Sequence, residues 1–565
     1  MTRRFFAKLS AMKFFLSKVK LPSAVNSLLA VLSAILLTLS FPNFDLWLLA
    51  WVALVPLFYA IERERESAVK SFFVGWIFGT TFFAGSCWWL TFAFTHYGGI
   101  PSPIAYLLLL IICLLVGIFP AIFGAAFSLL LKRFGTYGIL SAPVLWTAME
   151  FLRANLTDNS WNVIGYSQAF SESVKYAQFG GIYLVGFIVV SFSALLFWVD
   201  GFLRQNFGFG YLTFQFPFLL FRRKGLAGQI ATRKQQLIIV ALFFLPLVLS
   251  IFTVFLPFTK HFSDKNSGNN SKNSVVVVQA NVPMSGLNEE KWLKLRQRHA
   301  ELAEAAIQKL DAERTDRQPP ITVIFPESPM NFTYGEDAEF RTFIGSFARR
   351  HNASVLFNSA EANPNGDNYF NSAIMVDPQG AKIGQYDKIH LVPFGEFAPV
   401  PSPIKPLIPT LVGSFQPGEN YKLFPVGDAQ AGIMICYESH FPSLSREFAK
   451  RGADVLIEMT NDGYLGDTAV LRQHLAGAIF RAVETNRPVL RATNVGITAY
   501  INERGEVSDA ADVYTEATRV WTVSKSDGEQ TIYVRYGDWF AWLCSIFSIG
   551  LLIFNSWSGR KSTAD

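Results

Sequence analysis

Residues 259–280, TKHFSDKNSGNNSKNSVVVVQA, mark the place where the chain changes character. As far as Ser274 the stretch is polar, rich in Asn and Ser and without periodicity, so it reads as a linker. Its end, SVVVVQA (274–280), is a short β-rich run. Upstream lie apolar segments near 24–41, 45–61, 71–94, 104–131, 137–153, 177–200 and 236–258. Each is long enough to cross a hydrocarbon core, which takes about 20 residues with tolerance for tilt. Downstream, β-rich runs alternate with helical stretches until one more apolar segment at 538–555. The chain of 565 residues is 51% hydrophobic and only 16% charged, outside the range of an ordinary soluble domain.

The formal net charge of +6 could suit nucleic acid. The basic residues, however, gather beside apolar runs, where anchoring at a membrane surface explains them better, so no nucleic-acid partner is expected. Loops that stay in the cytoplasm collect Lys and Arg. Here Arg3, Arg4, Lys8, Lys13, Lys18 and Lys20 precede the first segment, and Arg63, Arg65 and Lys70 follow the second. Lys132 and Arg133 follow the fourth, and Arg222, Arg223, Lys224, Arg233 and Lys234 precede the seventh, whereas THYGGIPSP (95–103) after the third has neither residue type. The alternation holds only if 137–153 crosses, although GILSAPVLWTAMEFL (138–152) is short and carries Pro143 and Glu150. Seven crossings then put 259–537 outside the cytoplasm, and the final segment returns the tail. The stretch FGFGYLTFQFPFLLF (207–221), with Gln215 and Pro217, reads as interfacial. The basic N-terminus imitates a signal peptide but lacks a small-residue cleavage site, so it is expected to stay.

The expected organisation is a membrane domain at 1–258 with about seven transmembrane helices, a linker at 259–274, a mixed α/β domain at 275–537, and a last transmembrane helix with a short cytoplasmic tail at 538–565. Strands are expected at SVVVVQA, ITVIFPE (321–327), ASVLFNSA (353–360), NSAIMVD (371–377), AGIMICYE (431–438) and DVLIEMT (454–460), and helices at 289–312, 337–351, 441–451 and 469–485. No internal repeat is evident.

Of the four cysteines, Cys87, Cys113 and Cys544 lie in apolar stretches where a thiol acts as a small hydrophobe, and no CxxC pair occurs. Only Cys436, in IMICYES (433–439), is left for chemistry. Two further strand ends carry unusual residues: VIFPESP (323–329) delivers Glu327, and GQYDKIHLVPFGEF (384–397) contains Lys388. Alone, each is an ordinary loop or packing residue. Together they supply a nucleophile, a base to deprotonate it, and a cation to lower the thiol pKa and meet a developing oxyanion, a set that suits acyl transfer through a thioester.

The order Glu, Lys, Cys within PES, YDKIHLVPFGE and GIMICYESHFP, followed by NDGYLGD (461–467) and RPVLRATNVGIT (487–498), resembles the nitrilase superfamily. With the preceding membrane segments, the chain is similar to the apolipoprotein N-acyltransferase family over nearly its whole length. The resemblance implies a bundle of about eight transmembrane helices carrying an inserted nitrilase-like α/β domain, an αββα sandwich. It implies Glu327 as general base, Lys388 as support for the tetrahedral intermediate and Cys436 as the acylated residue, with Glu396, Tyr437 and Glu438 orienting Lys388 and shaping the acyl site. It further implies a phospholipid acyl donor, a diacylglyceryl apolipoprotein acceptor, a monomer without cofactor, and residence in the bacterial inner membrane with the catalytic domain on the periplasmic side. Two positions depart from the family pattern: Tyr464 and Leu465 stand where Trp-Phe is common, and a tryptophan comes late, as Trp292. Together with Trp161, which precedes GYSQ (165–168), Trp292 and Tyr464 are candidates for the substrate arms, though Trp161 equally suits an interfacial anchor.

Other readings stay open. His440 and His390 lie close in sequence to Cys436 and Lys388 and could form a Cys-His pair, although such pairs usually come from distant segments. No HExxH or paired His/carboxylate spacing points to a metal. A membrane-anchored amidase would share the three residues and finish with water. A transporter would place charges inside the spans, for which Glu150 is the clearest case. The sequons at Asn331 and Asn352 carry no assigned role.

Overall fold

The computed structural model describes residues 21–207, 273–312, 320–327, 333–366, 368–397 and 415–561. The segment expected to cross at 236–258, the linker as far as 272, the stretch 208–221 and Asn331 lie outside the described residues.

The N-terminal region is helical: α1 (Ala24–Ser40), α2 (Ala50–Ala53), α3 (Val55–Glu64), α4 (Ala68–Ser86), α5 (Leu90–His96), α6 (Ser102–Val116), α7 (Ile118–Phe134), α8 (Ala142–Thr157) and α9 (Ala177–Phe207). Among the described residues, four helical stretches are long and apolar enough to cross a membrane, at Ala68–Ser86, Ser102–Thr157, Glu172–Leu203 and Trp539–Trp557, with Ala24–Ser40 as a shorter apolar helix. The stretch Ser102–Thr157 takes in two of the segments expected from sequence. The segment expected at 45–61 is broken, because Pro56 sits in the first turn of α3, where its missing N–H costs nothing but the preceding turn cannot run on. Pro143 does the same at the start of α8. Glu150 is buried and accepts the N–H of Ile164 at 2.8 Å. Both residues that weakened this segment therefore have structural tasks, and Glu150 clamps the loop after α8.

The C-terminal region holds two six-stranded sheets. In chain order the elements are β1 (Asn273–Gln279), α10 (Glu289–Asp311), β2 (Ile321–Ile324), α11 (Ala338–His351), β3 (Ala353–Ala362), β4 (Tyr369–Val376), β5 (Lys382–Asp387), β6 (Leu423–Val426), β7 (Ala429–Ile435), α12 (Pro442–Lys450), β8 (Val455–Thr460), α13 (Val470–Thr485), β9 (Val489–Thr493), β10 (Ala499–Ile501), β11 (Val507–Ser508), β12 (Ala517–Val523), α14 (Ile532–Tyr536) and α15 (Trp539–Lys561). The sheet orders are β12-β1-β2-β3-β4-β5 and β11-β10-β9-β8-β7-β6. In each, three parallel strands continue into two antiparallel ones and carry one antiparallel strand on the opposite edge. The topology repeats although the sequence does not.

Helices α10 and α11 pack on the first sheet, α12 and α13 on the second. The valine run of β1 explains why: Val275 and Val277 join the cluster containing the second sheet, while Val276 and Val278 join the cluster under α10 and α11. A strand buried on both faces reads as a continuous apolar run because both of its faces meet apolar neighbours. The two sheets are also tied by the Thr493 hydroxyl, which donates to Gln279 Oε1 at 3.1 Å.

Membrane helices and sandwich meet at a kink in α9. Gly180 and Gly181 leave helical geometry there, and the freed N–H of Ile182 donates to Glu484 of α13 at 3.0 Å. Gly181 has φ +67°, and a Cβ on it would lie 2.6 Å from the Tyr533 ring. Gly181→Ala should destabilise the protein by about 1–3 kcal/mol, read as a lowered unfolding midpoint in detergent.

Candidate active site

Three strand ends converge between the sheets. Glu327 follows β2, Lys388 directly follows β5, and Cys436 directly follows β7, so a carboxylate and an ammonium come from one sheet and the thiol from the other. Strand ends suit this task because the sheet fixes the backbone up to the residue before the functional one. Cys436 opens the 3-10 turn Cys436–His440 with φ +54°, a left-handed conformation that a residue with a Cβ holds only when its surroundings impose it.

Lys388 Nζ lies 3.5 Å from Glu327 Oε1 and 2.9 Å from Glu396 Oε2. Asn371 of β4 donates to both carboxylates, at 3.0 Å to Glu327 and 2.7 Å to Glu396. The backbone N–H of Asn461 reaches Glu327 Oε2 at 3.1 Å, and that of Val392 reaches Glu396 at 2.7 Å. The Cys436 thiol is close enough to the Glu327 carboxylate, the Lys388 ammonium and the Thr460 hydroxyl for each to act on its ionisation. Glu438, fully buried, accepts from Tyr386 Oη, from the N–H groups of Ile389 and His390, and from that of Ile435, all within 2.7–3.1 Å. It therefore stitches the segment after Lys388 to the turn that holds Cys436.

Charges follow from burial. Burial pushes the Glu327 carboxyl above the usual range; Lys388 pulls it down and Glu396 pushes it up again. The Cys436 thiol is raised by burial and by Glu327, with Lys388 opposing. Burial would lower the Lys388 ammonium, but Glu396 and Glu327 more than reverse this and keep it charged. The resting site is thus a thiol beside a carboxylate of raised basicity, with a permanent cation in reach.

Residues 33–195 match the model of the apolipoprotein N-acyltransferase N-terminal domain, and residues 275–533 match that of carbon-nitrogen hydrolases. An apolipoprotein N-acyltransferase of Geobacter metallireducens is 31% identical over 527 residues, covering 92% of each chain. The chain belongs to the apolipoprotein N-acyltransferase family. Members from Pasteurella multocida and Thermotoga maritima are 26% and 28% identical, covering 96% and 95% of each chain.

In this acyltransferase the expected supporting residues fall into place unequally. Glu396 and Glu438 stand at Lys388 and Cys436 as described. Tyr437 is buried, and its hydroxyl donates to the Asp158 carbonyl at 3.3 Å, in the loop after α8. Trp161, from the same loop, is buried against the catalytic domain: its ring stacks on His440 at 3.7 Å and its indole N–H donates to Gln473 at 2.9 Å. Tyr464 is half exposed and meets Tyr97, from the end of α5, at 5.5 Å. Trp292 is not brought near them; it lies in the first turn of α10 and packs on the outer cluster with Leu295 and Phe343.

The histidines nearest in sequence are not placed as bases. Among the described residues neither ring nitrogen of His440 finds a hydrogen bond, and His390 stacks on Phe441 at 3.7 Å. Sequence reasoning missed Asn371, whose only signal is a polar residue inside the apolar run YFNSAIMV (369–376). It also missed a buried ionic cluster under Cys436: Glu458, Asp462, His474 and Arg491. Three of its members fall in DVLIEMT, NDGYLGD and RPVLRATNVGIT, yet no local spacing joins residues from two strands, a turn and a helix.

Proposed function

We propose that this acyltransferase moves a fatty acyl chain from a membrane glycerophospholipid, through a thioester on Cys436, to the N-terminal amine of diacylglyceryl-cysteine in apolipoproteins. Glu327 takes the thiol proton, and the sulfur attacks the ester carbonyl. Lys388 and the N–H of Tyr437 hold the oxyanion; the C–O bond then breaks, and Glu327 returns the proton to the departing lysophospholipid alkoxide. In the second half the amine attacks the thioester, Glu327 accepts its proton, the C–S bond breaks, and an amide and a free thiol result. The ester arrives activated and the thioester keeps that activation, so the cycle needs no cofactor.

The observation that carries this reading is the position of the nucleophile turn at the seam with the membrane helices. Tyr437 and His440 touch Asp158 and Trp161 from the loop between α8 and α9, so a bilayer ester can reach Cys436 without leaving the interface. That converts membrane confinement into proximity. The same reading takes the chain as a monomer of the bacterial inner membrane with eight crossings, a membrane domain at 1–258, a linker at 259–274, a periplasmic catalytic domain at 275–537 and an anchor with a cytoplasmic tail at 538–565; the loop charges support the orientation.

Intact-protein mass spectrometry after incubation with phospholipid tests it. A fatty-acyl mass that hydroxylamine removes and that Cys436→Ser does not gain is the expected result. No adduct with any phospholipid mixture would overturn the first half-reaction. Fatty acid released while an acceptor lipopeptide stays unmodified would assign the site to hydrolysis instead.

A further inference from the structure

The buried cluster beneath Cys436 has a task that packing does not explain. Glu458 lies within the fully buried strand β8, Asp462 follows β8, and Arg491 lies on β9; its guanidinium meets Glu458 at 2.5 Å and Asp462 at 2.8 Å. Two buried carboxylates need two cations. The second is His474 of α13, with Nδ1 2.7 Å from Asp462 and Nε2 3.1 Å from Glu458. Nε2 also hydrogen-bonds the backbone oxygen of Cys436 at 3.0 Å.

That oxygen belongs to the Cys436–Tyr437 peptide, whose other end is the Tyr437 N–H. The peptide is trans, so fixing its C=O toward His474 turns its N–H to the opposite side. Tyr437 stands in the first turn of a 3-10 helix, where no carbonyl of the same turn can take its N–H. A cation on the carbonyl also draws electron density from the nitrogen and makes that N–H a stronger donor.

We infer that His474 is a positioning residue for acyl transfer: its imidazolium, bracketed by Asp462 and Glu458, orients and polarises the Cys436–Tyr437 peptide so that the Tyr437 N–H receives the substrate oxyanion. The inference rests on the thioester reading above. Glu458, Asp462 and Arg491 face the ring from β8, its following turn and β9, and the ring of His440, which burial keeps neutral on the nucleophile turn, lies 5.5 Å from that of His474. The two carboxylates raise His474 to about 9, over the opposing effects of burial and Arg491, so it stays charged at neutral pH.

Two reactions of Cys436 separate this role from structural support. Acylation by phosphatidylethanolamine in detergent micelles passes through an oxyanion; alkylation by iodoacetamide does not. A single oxyanion donor is worth about 10²–10³ in rate, and losing its polarisation should cost roughly 10- to 100-fold. His474→Gln should slow single-turnover acylation by that factor and leave the alkylation rate within about twofold, and Asp462→Asn should repeat the pattern more weakly. Parallel loss of both rates, or unchanged acylation in the variant, overturns the role. If the His474 variant does not fold, Asp462→Asn is read by the same two rates. Absence of an acyl adduct on the unmodified enzyme would instead refute the thioester reading itself.

Discussion

Cys436→Ala is expected to abolish acyl transfer, with a loss on the order of 10⁶-fold, as for removal of the nucleophile from another covalent enzyme, while the protein stays folded. In the proposed mechanism both halves of the reaction pass through the Cys436 sulfur, and no other thiol is available: Cys113 and Cys544 are buried among helices, and Cys87 hydrogen-bonds the Asn162 amide at the end of α4. Alanine carries the same Cβ as cysteine and so meets the same φ +54°, and it loses only the sulfur atom. The unfolding midpoint in detergent should therefore shift by no more than a few degrees. Cys436→Ser is the sharper comparison, because a hydroxyl is far less acidic than a thiol and Glu327 is too weak a base to ionise it. Transfer assayed with a fluorescent lipopeptide, beside thermal unfolding, separates loss of chemistry from loss of fold.

Lys388→Met should cost about 10⁴-fold in acylation rate, more than one oxyanion donor alone. The donor accounts for about 10²–10³. The remainder comes from Glu327. With the ammonium gone, burial and the Glu396 charge push Glu327 further up against only the weaker pull of the Asn371 and Asn461 hydrogen bonds, so less of the base is ionised at neutral pH. The sign is testable. In the unmodified enzyme the raised pKa of Glu327 makes acylation rise with pH through a value above the ordinary carboxylate 4.5; in the variant that rise should move to still higher pH. A variant that acylates at the normal rate, or whose pH profile does not move, would remove Lys388 from both roles. Part of any stability loss is expected too, since taking one partner from a buried ionic group costs about 3–5 kcal/mol before protonation relieves it.

Much of the site was legible because two of its residues end runs with a strong local pattern and the third sits in a distinctive motif. PES and ICYE each follow a run whose composition declares a strand, Lys388 is marked by YDKIHLVPFGE rather than by the run before it, and the long-range order Glu, Lys, Cys can be read along the chain. What stayed hidden depends on pairing between segments. Asn371 bridges Glu327 and Glu396 across 44 and 25 positions, and His474 reaches the Cys436 carbonyl across 38. Strands β5, β6 and β9–β12 were missed for a related reason: KIGQYD is mostly polar, VLRAT carries a buried arginine neutralised by residues elsewhere, and β10 and β11 are only three and two residues long. Trp292, a substrate-arm candidate by motif order, lies in the helix that starts after Asn288 and packs in the outer layer.

In the proposed mechanism the repeated sheet topology divides the chemistry into a half that keeps protons and charge, with Glu327, Lys388 and Glu396, and a half that holds carbon, with Cys436. The spacing of these halves is set largely by apolar packing: Val275, Val277, Ile324 and Leu356 share one cluster with Ile433, Ile435 and Leu456. A misplacement of about 1 Å can cost roughly 10²-fold in rate. The sandwich interior is therefore the gauge that sets the proton-transfer distance, and trimming one of its side chains is a way to mistune the enzyme without touching any group that reacts.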